Sequence, residues 1–547
     1  MFAHGRILHG LLFLLIFHPA VGTAEEMWIY TVADGDNLWD FSEKYLDTPL
    51  RFEQLRTLNA VQRPRRMQPG TRLRVPMKWI RTNPVPARLA AAGGPVELIR
   101  ADGSRKAQVT EGAEIRLGDS LRTGADSTAT VVFADGSVLT LYGGSEMRFD
   151  HLSAHGETGM VDSRVHLIEG RLDTRVRPAA GPGSRFEIQT PSAISAVRGT
   201  EYRAAVQDGA QVSNIEVLKG KVRVSGGRKA HLVPAGFGTQ VAVGKAPVKP
   251  RRLLPAPQLQ PPAARIRELN WPLVWQDVQG ARAYRSEISA GQDFAVLVWD
   301  RVVERARVTL PDLSDGEYFV RVRGIDDLGL EGEQTVQAVV IDTRPQPPVP
   351  LQPTDGKTLR GTAAELQWSA SSDAQSYRIE IANDAGFTAP LVVEESVDGT
   401  RFPTAEDASP GVYHWRVMSV SDSGEVGPPS VSRSWQLKPV PETVEAGVEA
   451  TDDGRIVASW KPGDAGQSYD VQLARDPQFK DLEIDQRSAE AQLAFDPMPG
   501  QVRYLRVRSV ESDGFVGPWG AVQRIDPPPD RSWWVVPLIG VIGLLAL

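Results

Sequence analysis

Hydrophobic positions change period along the chain, and each change marks a different kind of element. Between Trp28 and Val32 apolar and polar residues alternate, which predicts a short strand. Gly35-Asp36 then makes a turn, and Leu38, Trp39, Phe41 and Tyr45 are spaced as one helical face expected to pack inward. Phe52, Leu55 and Leu58 recur at three-residue intervals as a second helix; after a loop from Arg63 to Gly70, TRLRVP alternates again. The predicted order is strand, helix, helix, strand.

From about Gly94 to Val243 period two dominates. The run ATVVFADGSVLTLY holds two alternating segments joined at Asp135-Gly136, a hairpin signal. VHLIEGRLDTRV and IEVLKGKVRVSG read the same way, with Glu169-Gly170 and Lys219-Gly220 as turns, so stacked β-hairpins are expected. The last half repeats itself. Trp275, Trp368 and Trp460 stand at periods of 93 and 92 residues. Each is followed nine residues later by a tyrosine (Tyr284, Tyr377, Tyr469) and ten after that by a phenylalanine (Phe294, Phe387, Phe479). Units of this length with short alternating strands and one tryptophan predict β-sandwiches.

The ends differ from the middle. Arg6 precedes an apolar run from Ile7 to Phe17, and small residues follow at Gly22 and Ala24, the pattern of a cleaved export leader. WWVVPLIGVIGLLAL closes the chain, 15 residues without a charge. Trp533 and Trp534 favour a short membrane anchor, with a packing or partner-binding tail as the alternative. Pro-rich joints, KAPVKPRRLLPAPQLQPPAA and RPQPPVPLQP, are expected to be semi-rigid spacers.

Composition narrows the function classes. A chain of 547 residues exceeds one core, so several domains are required. Lys and Arg number 61 against 68 Asp and Glu, a net charge of −7 without a long basic block, which removes the footprint of a nucleic-acid binder. There is no cysteine, so neither disulfides nor thiol chemistry are open to it. His151 and His155 in HLSAH have the spacing of a helical zinc pair, but the segment lacks the HExxH glutamate and is expected to be a loop without metal. No GxSxG or phosphate-cradling loop stands out, and no catalytic residue or cofactor is expected.

Tyr30-Thr31-Val32, Gly35-Asp36-Asn37-Leu38-Trp39, Leu58-Asn59, Pro69-Gly70 and Leu73-Arg74-Val75-Pro76 stand in the order of a LysM domain, which this segment resembles. The resemblance implies a groove for N-acetylglucosamine polymers, chiefly peptidoglycan, with Gly35, Asp36, Asn37 and Leu38 on one wall and Asn59, Ala60 and Val61 on the other. The competing reading of Gly35-Asp36-Asn37 is a turn and helix cap. Thr190-Pro191, Val197-Arg198-Gly199-Thr200-Glu201 and Glu216-Val217-Leu218-Lys219-Gly220 resemble the FecR domain. That likeness implies a periplasmic β domain of sensing or scaffolding type; Arg198 and Glu201 are expected to form a structural ion pair or turn. The three repeats resemble fibronectin type III domains, in which Trp299 and Trp519 are expected at core or rim.

The fold class expected is multidomain and mainly β: a small βααβ LysM-like module, a β-rich FecR-like domain and three tandem β-sandwiches. The expected boundaries are 1–24 for the leader, 27–77, 93–245, a linker at 246–264, sandwiches at 265–343, 350–438 and 442–526, and the tail at 533–547. The function expected is non-catalytic: an exported envelope protein that binds peptidoglycan and displays its β domains to an envelope protein partner, with membrane contact through the tail. A FecR-type sensor of an outer-membrane ligand or transporter is the alternative, and a peptidoglycan hydrolase is disfavoured for want of a catalytic constellation.

Overall fold

Strands and helices form at the N-terminus where the pattern put them. In the computed structural model, which describes residues 25–527 except 208, 210, 262, 362, 453 and 497–499, Met27–Thr31 pairs antiparallel with Arg72–Pro76. Helices Leu38–Tyr45 and Phe52–Leu58 fill the connection. The leader and the apolar tail lie outside the described residues. Leu38, Phe41, Leu55, Leu73 and Val75 form the module's core. Trp39, expected inside, is instead 46% exposed and meets Phe52 edge-on at 5.2 Å between ring centroids. The cause is angular: Leu38, Phe41 and Tyr45 lie at i, i+3 and i+7, and Trp39 is turned about 100° from Leu38.

The chain divides into two compact units, Met1–Thr343 and Arg344–Leu547. In the first, strands from Thr82 to Arg252 close into a barrel. It overruns the expected 93–245 at both ends: Ala87 and Leu89, on Ala87–Gly93, are in its core, and Arg251–Arg252 pairs with Phe237–Gly238. Asp135-Gly136 makes the expected hairpin, with Val132 opposite Val138. Glu169-Gly170 does not turn. It lies inside one strand, Val161–Arg175, whose first part pairs with Glu146–His155 and whose second part pairs with Val138–Leu141 and Glu201–Gln207. Gly170 has φ +86°, and a Cβ there would stand 2.0 Å from Ser145 Oγ, so this glycine permits two strands to touch. Lys219-Gly220 is a corner, since Val212–Lys219 and Lys221–Gly226 pair with different neighbours and not with each other. Glu201 meets Arg175 at 3.3 Å and Lys219 at 3.9 Å rather than the expected Arg198.

The N-terminal module and the barrel share a core. Met160, from the barrel turn after His155, is fully buried among the module's apolar residues, and Lys44 reaches Glu157 at 3.2 Å. The first Pro-rich joint is likewise packed rather than free. The Leu253 amide bonds the Gly236 carbonyl on the barrel, while the Leu254 carbonyl accepts from Glu333 and that of Pro257 from Thr335 on the sandwich. Apolar side chains in the joint explain this: Leu253 is buried, and Leu254 lies against Gly324 and Gly332.

Each sandwich is a pair of sheets around a buried tryptophan. Tyr284, Tyr377 and Tyr469 meet Trp275, Trp368 and Trp460 edge-on at 5.3, 5.5 and 5.3 Å, and their hydroxyls accept from the amides of Val278, Ser371 and Gly463. Phe294, Phe387 and Phe479 take φ of 55°, 53° and 57°, each beneath a guanidinium: Arg321, Arg416 and Arg506 at 4.2, 4.2 and 4.1 Å. The spacing in the sequence thus records three conserved contacts in every copy of the unit. Trp299 packs partly buried on the first core, and Trp519 lies under Arg506 and Arg508 at 4.3 Å. Among the described residues no helix is long and apolar enough to cross a membrane.

Candidate functional site

The turn that precedes the first helix is held by its own side chains. Asp36 Oδ2 accepts from the Tyr30 hydroxyl and from the Ala33 amide, both at 2.7 Å. Burial, then the Asp36 carboxylate, push the Tyr30 phenol up to about 12. Asn37 caps the helix: its Oδ1 accepts from the Asp40 amide at 2.9 Å and its Nδ2 donates to the Asp40 carboxylate. Leu38 is wholly buried, and its amide donates to the Pro64 carbonyl at 2.8 Å. Gly35, at φ +86°, has open space where a Cβ would be.

The other predicted wall is also tied into the fold. Asn59 donates to the Leu55 and Arg74 carbonyls and accepts from the Arg74 amide at 2.7 Å, fastening the second helix to the second strand. Ala60 holds φ 49°, and Val61 packs partly buried on the core. A cavity of about 560 Å³ opens here, lined by Asn59, Ala60, Val61, Gln62, Arg63 and the 66–71 loop. Gly35 to Leu38 do not line it; they reach its loop by backbone bonds, Leu38 to Pro64 and Met67 to Asp36. The cavity's exposed side chains are Gln62, Arg63, Arg66 and Gln68, and Trp39 is an exposed aromatic beside the first wall. As loop glutamines, Gln62 and Gln68 carry no periodic signal in the sequence.

His151 and His155 lie on the strand Glu146–His155, not in a loop. Four residues of strand separate them by roughly 13 Å, too far for one ion; His151 meets Ser153 at 2.9 Å instead. Among the described residues no group of three metal-ligating side chains comes together.

A second concentration of chemistry lies between the barrel and the first sandwich. Glu287, fully buried, accepts from Arg171 at 2.7 Å, Arg321 at 2.6 Å and Arg323. Arg171 also reaches Asp300 at 2.6 Å, and Arg285 bridges Asp300 and Glu331. These three cations hold the Glu287 carboxyl well below the usual range despite its burial. Glu216 and Arg203 are the loose pair of the network, 3.6 Å apart and both buried. Desolvation pushes Glu216 up to about 7 and Arg203 down. This is the arrangement of an interface core, with every carboxylate facing a guanidinium and no nucleophile among them.

Residues 30–76 match the family model for the LysM domain, and residues 119–223 match that for the FecR protein. An uncharacterized protein of Treponema pallidum (strain Nichols) is 22% identical over 371 residues, 60% of this chain and 51% of that protein, so the chain spans about half the length of the curated relative it matches. Among solved structures, a candidate anti-sigma factor from Parabacteroides distasonis is 19% identical, covering 24% of this chain and 59% of that one, with a TM-score of 0.21. The FN1-FN3 domains of chicken CNTN1 are 18% identical over 49% of this chain and 97% of that one, with a TM-score of 0.22.

Proposed function

We propose that this is an exported, non-catalytic envelope protein that holds peptidoglycan through its N-terminal module and displays the barrel and sandwiches as a scaffold. The observation that carries the reading is the LysM match at 30–76 together with an open cavity whose exposed side chains serve no structural bond. Amide side chains suit acetamido groups, which each offer one donor and one acceptor. A wall-binding module joined to other attachment points gains avidity by reach rather than by tight single contacts. The FecR match over 119–223 supports the second reading, a sensor in which the barrel meets a protein partner.

The test is co-sedimentation of the full chain with insoluble peptidoglycan. Gln62→Ala/Gln68→Ala is expected to lower retention by about fivefold or more while thermal melting stays unchanged, because both side chains are exposed. Unaltered retention sinks the groove; no retention of the intact protein sinks the tether and moves the weight to the sensor.

A further inference from the structure

A wide concavity of about 660 Å³ lies where the barrel meets the N-terminal module. Glu26 and Met77, at the ends of the module's two strands, form one lip. The barrel supplies the other, and it is basic: Arg164, Arg185, Arg198, Lys221 and Arg223 line it. Asp162 pairs with Arg164 and Glu187 with Arg185, but none of the described ion pairs includes Arg198, Lys221 or Arg223.

The register makes this row costly. Phe186 stands opposite Val197, and Val197 opposite Val222, all three buried. One position on, Arg185 and Lys221 open their strands and Arg198 directly follows the end of the strand between them, so three exposed cations gather at one end of these neighbouring strands. Like charges directly opposite one another destabilise a sheet. Edge protection does not account for them, because these strands are paired on both sides. Nor does composition, since the chain as a whole is acidic at −7. Next to the row Leu232, 56% exposed, pairs with Arg223, so apolar surface and free cations share the concavity.

We propose that this basic concavity is a second binding site, for the carboxylate-bearing peptide stems of the same peptidoglycan whose glycan the N-terminal module holds. The proposal rests on the tether reading. Guanidinium forks and an ammonium match carboxylates, and the exposed leucine suits the small apolar side chains between them. The reach is adequate. The module's strand Met27–Thr31 runs from this lip toward the glycan groove, roughly 17 Å for five residues. A stem of about five extended residues covers a similar distance at ~3.4 Å each. Two sites on one polymer would add avidity to a single small module.

The experiment compares the full chain with Arg198→Glu/Lys221→Glu and the milder Arg198→Gln/Lys221→Gln, on intact peptidoglycan, on glycan strands stripped of stems, and against a soluble synthetic stem pentapeptide and its carboxyl-amidated form. The native chain is expected to bind intact peptidoglycan about tenfold more tightly than stripped glycan and to bind the free pentapeptide but not the amidated one. Both variants are expected to lose that difference while keeping the stripped-glycan affinity, which also shows that they are folded. Equal binding of intact and stripped polymer by the native chain overturns the proposal, as does pentapeptide binding that the variants retain. Tighter binding to phosphatidylglycerol vesicles than to the pentapeptide overturns it in favour of a lipid surface. Pentapeptide binding without any retention on stripped glycan upholds this site and sinks the glycan groove, so the two failures are separable.

Discussion

Asn59 uses its side-chain amide on both donors and its acceptor to join the second helix to the second strand. Asn59→Ala removes three bonds at once, and a loss of about 2 kcal/mol in urea unfolding is expected at roughly 1 kcal/mol per bond with partial solvent compensation. Asp36 has the same character, holding Tyr30 and the Ala33 amide together. Substituting either residue disturbs the fold of the groove before it touches a ligand contact, which is why Gln62 and Gln68 are the sharper probes. The difference was not legible beforehand. Turn, cap and contact residues draw on the same short polar types, and only the hydrogen-bond partners tell them apart.

Among elements, the long strand Val161–Arg175 carries the clearest consequence. Gly170→Ala places a Cβ against Ser145 and forces a non-glycine residue into φ +86°, so a loss of at least about 3 kcal/mol in guanidinium melts is expected. An equal loss at a surface glycine in open space, such as Gly209, would remove the explanation. In sequence, Glu169-Gly170 and Asp135-Gly136 look alike, yet one is a strand interior and the other a turn; a glycine that permits contact and a glycine that permits reversal leave the same mark. The Trp, Tyr and Phe spacing of the sandwiches was legible because each position makes the same contact in every copy. The packing of the first Pro-rich joint was not, since proline content predicts stiffness but not what a neighbouring leucine will meet.

At the scale of the first compact unit, the buried charges between barrel and sandwich set a pH dependence. Glu216 is raised in the fold from an ordinary 4.5 to about 7. Its contribution to stability is therefore complete below about pH 4.5 and is lost as pH rises through about 7, a change of up to about 3 kcal/mol. Glu287 is depressed and acts in the opposite sense: its contribution is present above about pH 4.5 and falls away in acid. Glu216→Gln keeps an acceptor for the Glu331 amide but cannot ionise. The variant is expected to melt at a nearly constant temperature between pH 5 and 8, where the native chain declines; parallel curves would show that Glu216 does not titrate there. None of this network was visible in the sequence, because Arg171, Arg203, Glu216, Glu287 and Glu331 are scattered across 161 positions, from 171 to 331. Ordinary surface charges and the members of a buried interface are indistinguishable until the chain brings them together.

Met160 gives the attachment a mechanical character. A side chain from the barrel completes the core of the N-terminal module, so under the proposed tether tension on a bound polymer would meet packed side chains rather than a slack joint. On that reading the load would pass through packed apolar surface into the closed barrel wall, and the two are expected to yield as one body rather than as beads on a string.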